Sequence, residues 1–133
     1  MDRITNLEQA RKFFSNDRFA AANGAFIEEI GEKSAKCSLM IDQRHMNAVG
    51  GVMGGVSFTL ADFAFAVASN RDGAPVVSLS SNITYLSAMK GKKMIADAYC
   101  VRDGRTTCYY RVDISDELGT AVAAVTMTGF HIN

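Results

Sequence analysis

From Gly54 the chain reads GGVSFTLADFAFAVASN, and apolar residues fall on nearly every side of a helix wound from it. A helix that is hydrophobic all round has to be buried all round. In a chain of 133 residues there is room for one such helix if the other elements wrap it. The remaining sequence supplies a wrapper. Ala35, Cys37, Leu39 and Ile41 alternate with Lys36, Ser38 and Met40, the period of a half-buried strand over 34–41. With the segment 19–30 before it and Gly31-Glu32 between, this predicts a hairpin. After a turn at Arg71-Asp72-Gly73 come four extended segments, over 76–85, 93–102, 106–115 and 121–132. Asp103-Gly104 marks the turn between the second and third of these, and Glu117-Leu118-Gly119 the next. A short helix over 5–15 opens the chain: Thr5 stands at capping-box spacing from Glu8, and Leu7, Ala10, Phe13 and Phe14 share one face. The expected class is α+β: a curled antiparallel sheet around a long central helix, about 54–69, in one domain spanning 1–133.

Lys and Arg together number 14, as do Asp and Glu, so no net field draws the chain toward nucleic acid or a membrane surface. The opening MDRITNLEQARKFF lacks the apolar core of a signal peptide. The longest apolar stretch, 52–68, is broken by Gly54, Gly55, Ser57 and Asp62 and does not read as a membrane span. Cys37, Cys100 and Cys108 have no metal-ligand spacing, so no metal is expected, and an odd count of thiols without a leader points to the cytoplasm.

Asp62 is the only ionisable residue between His45 and Arg71. A carboxylate in such a helix must be paired, hydrogen-bonded or set in a pocket that solvent reaches. It is either a carboxylate tied to a neighbouring backbone or hydroxyl group, or a base or nucleophile in a partly desolvated site. Gly54 and Gly55 open the same helix, where unpaired N–H groups can hold an oxyanion and glycine lets a ligand approach; a tight loop-to-helix turn would use glycines equally well. Gly54 and Asp62 are eight residues apart, about 12 Å along a helix. One reacting carbon cannot lie within about 3 Å of both in the same subunit. Two antiparallel helices across a two-fold axis would bring Asp62 of one to Gly54 of the other, so a catalytic reading requires a dimer with shared sites.

The run RHMNAVGGVMGGVSFTLADFAFAVASN resembles the signature of hotdog-fold thioesterases of the phenylacetic acid degradation (PaaI-type) subfamily, in which His-x-Asn-x-x-Gly-x-x-His-Gly-Gly precedes an apolar helix carrying Asp or Glu. His45, Asn47, Gly50, Gly54, Gly55 and Asp62 match in spacing, and the likeness extends over about 19–130, including the Asn-Ile-Thr-Tyr run. The resemblance implies an acyl-CoA thioesterase, acting on an aromatic or fatty acyl group, as a homodimer and further as a dimer of dimers. It implies that Gly54 supplies the oxyanion-hole N–H and that Asp62 of the partner chain serves as nucleophile or general base. Asn47 would contact the thioester or position water, and Ser78 would hydrogen-bond Asp62 or that water. No cofactor is implied beyond the CoA of the substrate. One departure stands out: Met53 occupies the place of the histidine before Gly-Gly, and a thioether cannot donate a hydrogen bond. Met53 and Gly55 are thus expected at the substrate, and a non-catalytic acyl-CoA binding protein is the alternative that Met53 favours.

Lys90, Lys92, Lys93, Arg102 and Arg105 are candidate partners for the nucleotide phosphates, or ordinary solvated residues of a loop and a turn. His45 is expected to order its loop and His131 to be exposed near the terminus. No histidine is expected beside Asp62, which argues against the hydratase and dehydratase chemistry found on hotdog folds.

Overall fold

The computed structural model describes residues 3–71 and 73–132. Asp72, in the expected turn before the third strand, lies outside the described residues. Two short helices, α1 (Leu7–Phe14) and α2 (Arg18–Ala22), lead into the hairpin of β1 (Phe26–Gly31) and β2 (Ser34–Met40). The long helix α3 (Gly54–Ser69) follows, then β3 (Val76–Tyr85), β4 (Lys93–Asp103), β5 (Thr107–Asp116) and β6 (Ala121–His131). The six strands form one sheet in the order β1-β2-β4-β5-β6-β3, antiparallel throughout.

The sheet curls over α3, which packs chiefly on β2, β4 and β5. Leu60, Ala64, Phe65 and Val67 of the helix join Cys37, Leu39, Met94, Ala96, Val112 and Ile114 of the strands in one core. Each fully buried Leu, Ile or Phe stabilises such a core by about 1.5–3 kcal/mol relative to exposure. Burial of α3 is nevertheless one-sided within the chain. Gly55, Phe58, Thr59 and Ala66 are only partly covered, and Asp62 is the one exposed residue of the helix. Their spacing traces a single helical stripe.

β3 is the second open feature. It pairs with β6 on one side and with nothing among the described residues on the other, and Val77, Leu79 and Tyr85 are exposed along it. Leu79 is skipped by the pairing, because Ser78 opposes Gly129 and Ser80 opposes Thr128. An extra residue of this kind reverses the alternation of faces beyond it. Val76 and Ser78 before the bulge, and Ile83 and Tyr85 after it, consequently turn toward the same side, that of α3.

Several local expectations are corrected. The N-cap of α1 is Asn6, which accepts the Gln9 N–H, while Gln9 Oε1 reaches back to the N–H and hydroxyl of Thr5. The capping exchange therefore runs one residue later than Thr5–Glu8. The segment 19–30 is not all strand: its first part is α2, closed by Gly24 at φ 94°, and only Phe26–Gly31 pairs with β2. The loop 42–53 contains a 3-10 turn, Gln43–His45. His131 is half-buried rather than exposed, its Nε2 lying 2.7 Å from Asp103 Oδ1. No helix among the described residues is long and apolar enough to cross a membrane.

Candidate active site

The approach to α3 is built around His45. This buried ring accepts the Asp42 N–H at Nδ1 and donates from Nε2 to Asn23 O, at 2.9 and 2.8 Å, which fixes its neutral tautomer. It fastens the loop to the end of α2 and also receives the Met53 N–H on its backbone carbonyl, at 2.9 Å. Asn47 shapes the next turn: its Oδ1 accepts from Val49 N and Gly51 N at 3.1 and 2.9 Å. The side-chain oxygen is thereby committed to the loop, and the Nδ2 amide is the end of Asn47 with donors to offer a ligand.

Gly54 is the first residue of α3, so its N–H belongs to the helix end that has no intrahelical acceptor. It lines a cavity of about 1120 Å³ together with Gly51, Tyr85, Met89, Lys92 and Val122. A Cβ on Gly54 would lie 2.7 Å from Tyr85 Oη, and that hydroxyl donates to Gly54 O at 2.8 Å. Met53, the N-cap, makes no side-chain cap bond; its methyl group covers Gly55, where a Cβ would meet Met53 Cε at 2.8 Å.

Asp62 opens into a different cavity, of about 620 Å³, walled by Phe19, Phe58, Phe63, Thr59 and Gly55 and shared with Asp17 and Arg18. Desolvation by these walls pushes its carboxyl above the ordinary value of 3.8; the Ser78 hydroxyl, 3.5 Å from Oδ1, pulls it down, and the Asp17 charge raises it further. Burial likewise raises Asp17, the N-cap of α2, whose side chain makes no cap bond. Asp62 keeps solvent access in the isolated chain, so the apolar walls rather than complete enclosure account for the shift. Within one protomer, then, the two ends of the expected chemistry face separate cavities. β3 touches both ends, through Ser78 at Asp62 and Tyr85 at Gly54.

The basic residues fall into two groups. Lys92 lines the Gly54 cavity and Lys90 is exposed beside it, whereas Lys93 Nζ is paired with Glu28 at 2.8 Å. The backbone N–H groups of Lys90 and Gly91 bond Asp116, and those of Lys92 and Lys93 bond Glu117. Arg102 and Arg105 sit at the far end of β4, about 30 Å of strand from Lys93. They do not join the lysines within the chain. Tyr85 and Asp17 are the residues at the site that sequence reasoning missed, since nothing in either local pattern announces a contact made across the fold.

Residues 49–123 match the family profile described as the thioesterase superfamily. This match covers the Gly-Gly start of α3, Asp62, strands β3 to β5 and the start of β6. The chain belongs to the thioesterase superfamily. Its likeness to other members spans most of its length. It is 32% identical over 121 residues to a putative esterase of Archaeoglobus fulgidus, covering 90% of this chain and 79% of that one. The structure of the Escherichia coli PaaI protein, from the phenylacetic acid degradation operon, superposes with a TM-score of 0.87 at 27% identity, over 93% of this chain and 91% of that one. A thioesterase protein from Streptococcus pneumoniae, solved with coenzyme A, superposes with a TM-score of 0.82 at 31% identity, over 92% and 96% of the two chains. The curled sheet around a central helix, read from the apolar run, and the hotdog fold implied by the resemblance are thus one fold, which this chain shares with these relatives.

Proposed function

We propose that this thioesterase-superfamily chain hydrolyses acyl-CoA thioesters in two composite sites of a homodimer. The observation that carries the reading is Asp62: the sole exposed residue of an apolar helix, its carboxyl held above the ordinary range in an aromatic-walled cavity, with the Ser78 hydroxyl directed at it. In the reaction, Asp62 takes a proton from water as the water oxygen bonds to the thioester carbon. The Gly54 N–H of the partner chain stabilises the resulting oxyanion. Collapse breaks the C–S bond, and the proton passes to the leaving thiolate, giving free acid and CoA thiol. Direct attack by Asp62 would form an anhydride that water then opens, with the same products. Neither route requires a metal or bound cofactor.

The dimer is supported by the half-covered stripe on α3 and the open edge of β3, which adjoin each other through the Ser78 and Tyr85 contacts. If β3 pairs antiparallel with its copy about a two-fold axis between Ser81 and Asn82, Ser78 of one chain comes opposite Tyr85 of the other. Asp62 then approaches the Gly54 of its partner. Lys92, with Lys90, is the better candidate for the CoA phosphates, because Lys93 is engaged by Glu28 and Arg102 and Arg105 lie at the other end of the strand. A further pairing into a dimer of dimers, over the exposed outer face carrying Tyr99, Val101 and Tyr109, is part of the same proposal. Three free cysteines accord with a reducing cytoplasm.

Thiol release from a panel of aromatic and aliphatic acyl-CoAs tests the reading, with wild type and Asp62→Asn compared. The expected loss is at least ~10²-fold, the usual contribution of a positioned acid or base. Retained turnover would remove Asp62 from the mechanism. Binding of acyl-CoA with no release of thiol from any ester would favour the non-catalytic alternative that Met53 suggests.

A further inference from the structure

The geometry points to Tyr85 as the residue that positions the Gly54 backbone for catalysis, an inference that rests on the thioester-hydrolase reading above. α3 begins under poor local control: Met53 gives it no side-chain cap, and its first two residues are both glycine. Glycine carries the largest backbone freedom of any residue, and the first amides of a helix lack intrahelical acceptors. A donor group placed there would wander unless something outside the helix held it. The His45 carbonyl, which takes the Met53 N–H, holds the residue before Gly54, and Tyr85 holds the peptide after it. Its hydroxyl donates to Gly54 O at 2.8 Å, across 31 residues of sequence. Its ring also occupies the volume a side chain at Gly54 would need, with Cζ 2.9 Å from the position of a Cβ.

The bond fixes the peptide that joins Gly54 to Gly55, and with it the direction in which the first turn presents its N–H groups. A hydrogen bond accepted at a peptide carbonyl also polarises the N–H of the same peptide, here that of Gly55. Tyr85 is held in turn by β3, whose bulge at Leu79 is what lets one strand direct Ser78 at Asp62 and Tyr85 at Gly54. One strand thereby sets both ends of the reacting geometry. Tyr85 acts through the backbone it holds, so its removal should lower kcat and leave KM nearly unchanged.

Tyr85→Phe, which keeps the ring and removes the donor, is the test. Expected are a fall in kcat of about tenfold, the amount that an altered transition-state interaction of ordinary size produces, a KM within twofold of wild type, and an unchanged thermal midpoint. The amide signals of Gly54 and Gly55 in a nitrogen-15 spectrum should broaden or exchange faster, with those of the sheet unaltered. An unchanged kcat overturns the inference, whether or not KM rises, because a residue that merely binds substrate or packs would behave so. Unaltered Gly54 and Gly55 amides overturn it as well. The amide comparison requires no turnover. A wild-type protein inactive on every ester would defeat the hydrolase reading, while the spectra would still report whether Tyr85 holds the turn.

Discussion

Asp62 ionises in surroundings that work against it, and the direction of each influence can be read at the pH where activity appears. In the proposed mechanism the reactive form is the carboxylate. Because desolvation raises its pKa, the acid limb of kcat/KM should lie above pH 3.8, the ordinary aspartate value. Ser78→Ala removes the bond that favours the charged form and should move the limb upward. Asp17→Asn removes a neighbouring negative charge and should move it down, by an amount that shrinks with added salt. A limb that stays in place in both variants would mean that neither group acts on Asp62. Stability follows the opposite course. A carboxyl whose pKa is raised by folding contributes stability below its unfolded value, and that contribution is lost as pH rises through its folded value. Asp62→Asn should therefore raise the thermal midpoint at pH 7 and not below pH 3.8 while it abolishes turnover, a comparison that calorimetry at the two pH values decides.

Among the elements, β3 carries a consequence that its sequence half conceals. Ser78 and Tyr85 are seven residues apart, which in regular alternation would put them on opposite faces. The unpaired Leu79 puts them on one. Inserting one alanine after Ser81 should put Ser78 and Tyr85 on opposite faces and swing one of them off the helix, with a loss of turnover of at least ~10-fold and β-sheet content unchanged by circular dichroism. Wild-type turnover in the insertion variant would show that β3 does not set the site. The bulge also marks where sequence reasoning stops. The strand from Val76 to Tyr85 was legible from its extended composition and flanking turns, as were the hairpins at Gly31 and Gly104, because turn chemistry and alternation are local. The helix from Gly54 was legible from its unbroken apolar content. The short α2 was not: Phe19-Ala20-Ala21-Ala22 is too brief to show a helical period, and it is held by packing on α3 and by His45 reaching Asn23. Asp62 stood out because a charge in an apolar run is costly wherever the chain puts it. Gly54 was marked as a glycine opening that helix, Asn47 and Ser78 acquired roles only through the motif they match, and Tyr85 acquired none, because its bond to Gly54 exists only once β3 and α3 are side by side.

The whole molecule leaves two surfaces open, the stripe on α3 and the edge of β3, and in the proposed dimer the sites follow from how these are completed. Subunits carrying Asp62→Asn, mixed with subunits carrying Gly54→Pro, should regain about a quarter of wild-type activity once they exchange at random. Half of the pairs are then mixed, and one of the two sites in each mixed pair has both intact halves. Proline is tolerated at the first position of a helix and removes the N–H in question, although its ring will displace Tyr85. Exchange without recovered activity would place both functions within one chain. The open edge of β3 has a different meaning for a protomer that has not found its copy. Its unpaired amides and carbonyls, with Val77 and Leu79 exposed along them, form a template that any extended chain can join. Partner binding is then also protection, and its strength rises with how much of the chain is present. A dilute protomer, more often single, therefore keeps that edge open for a larger share of its time than a concentrated one.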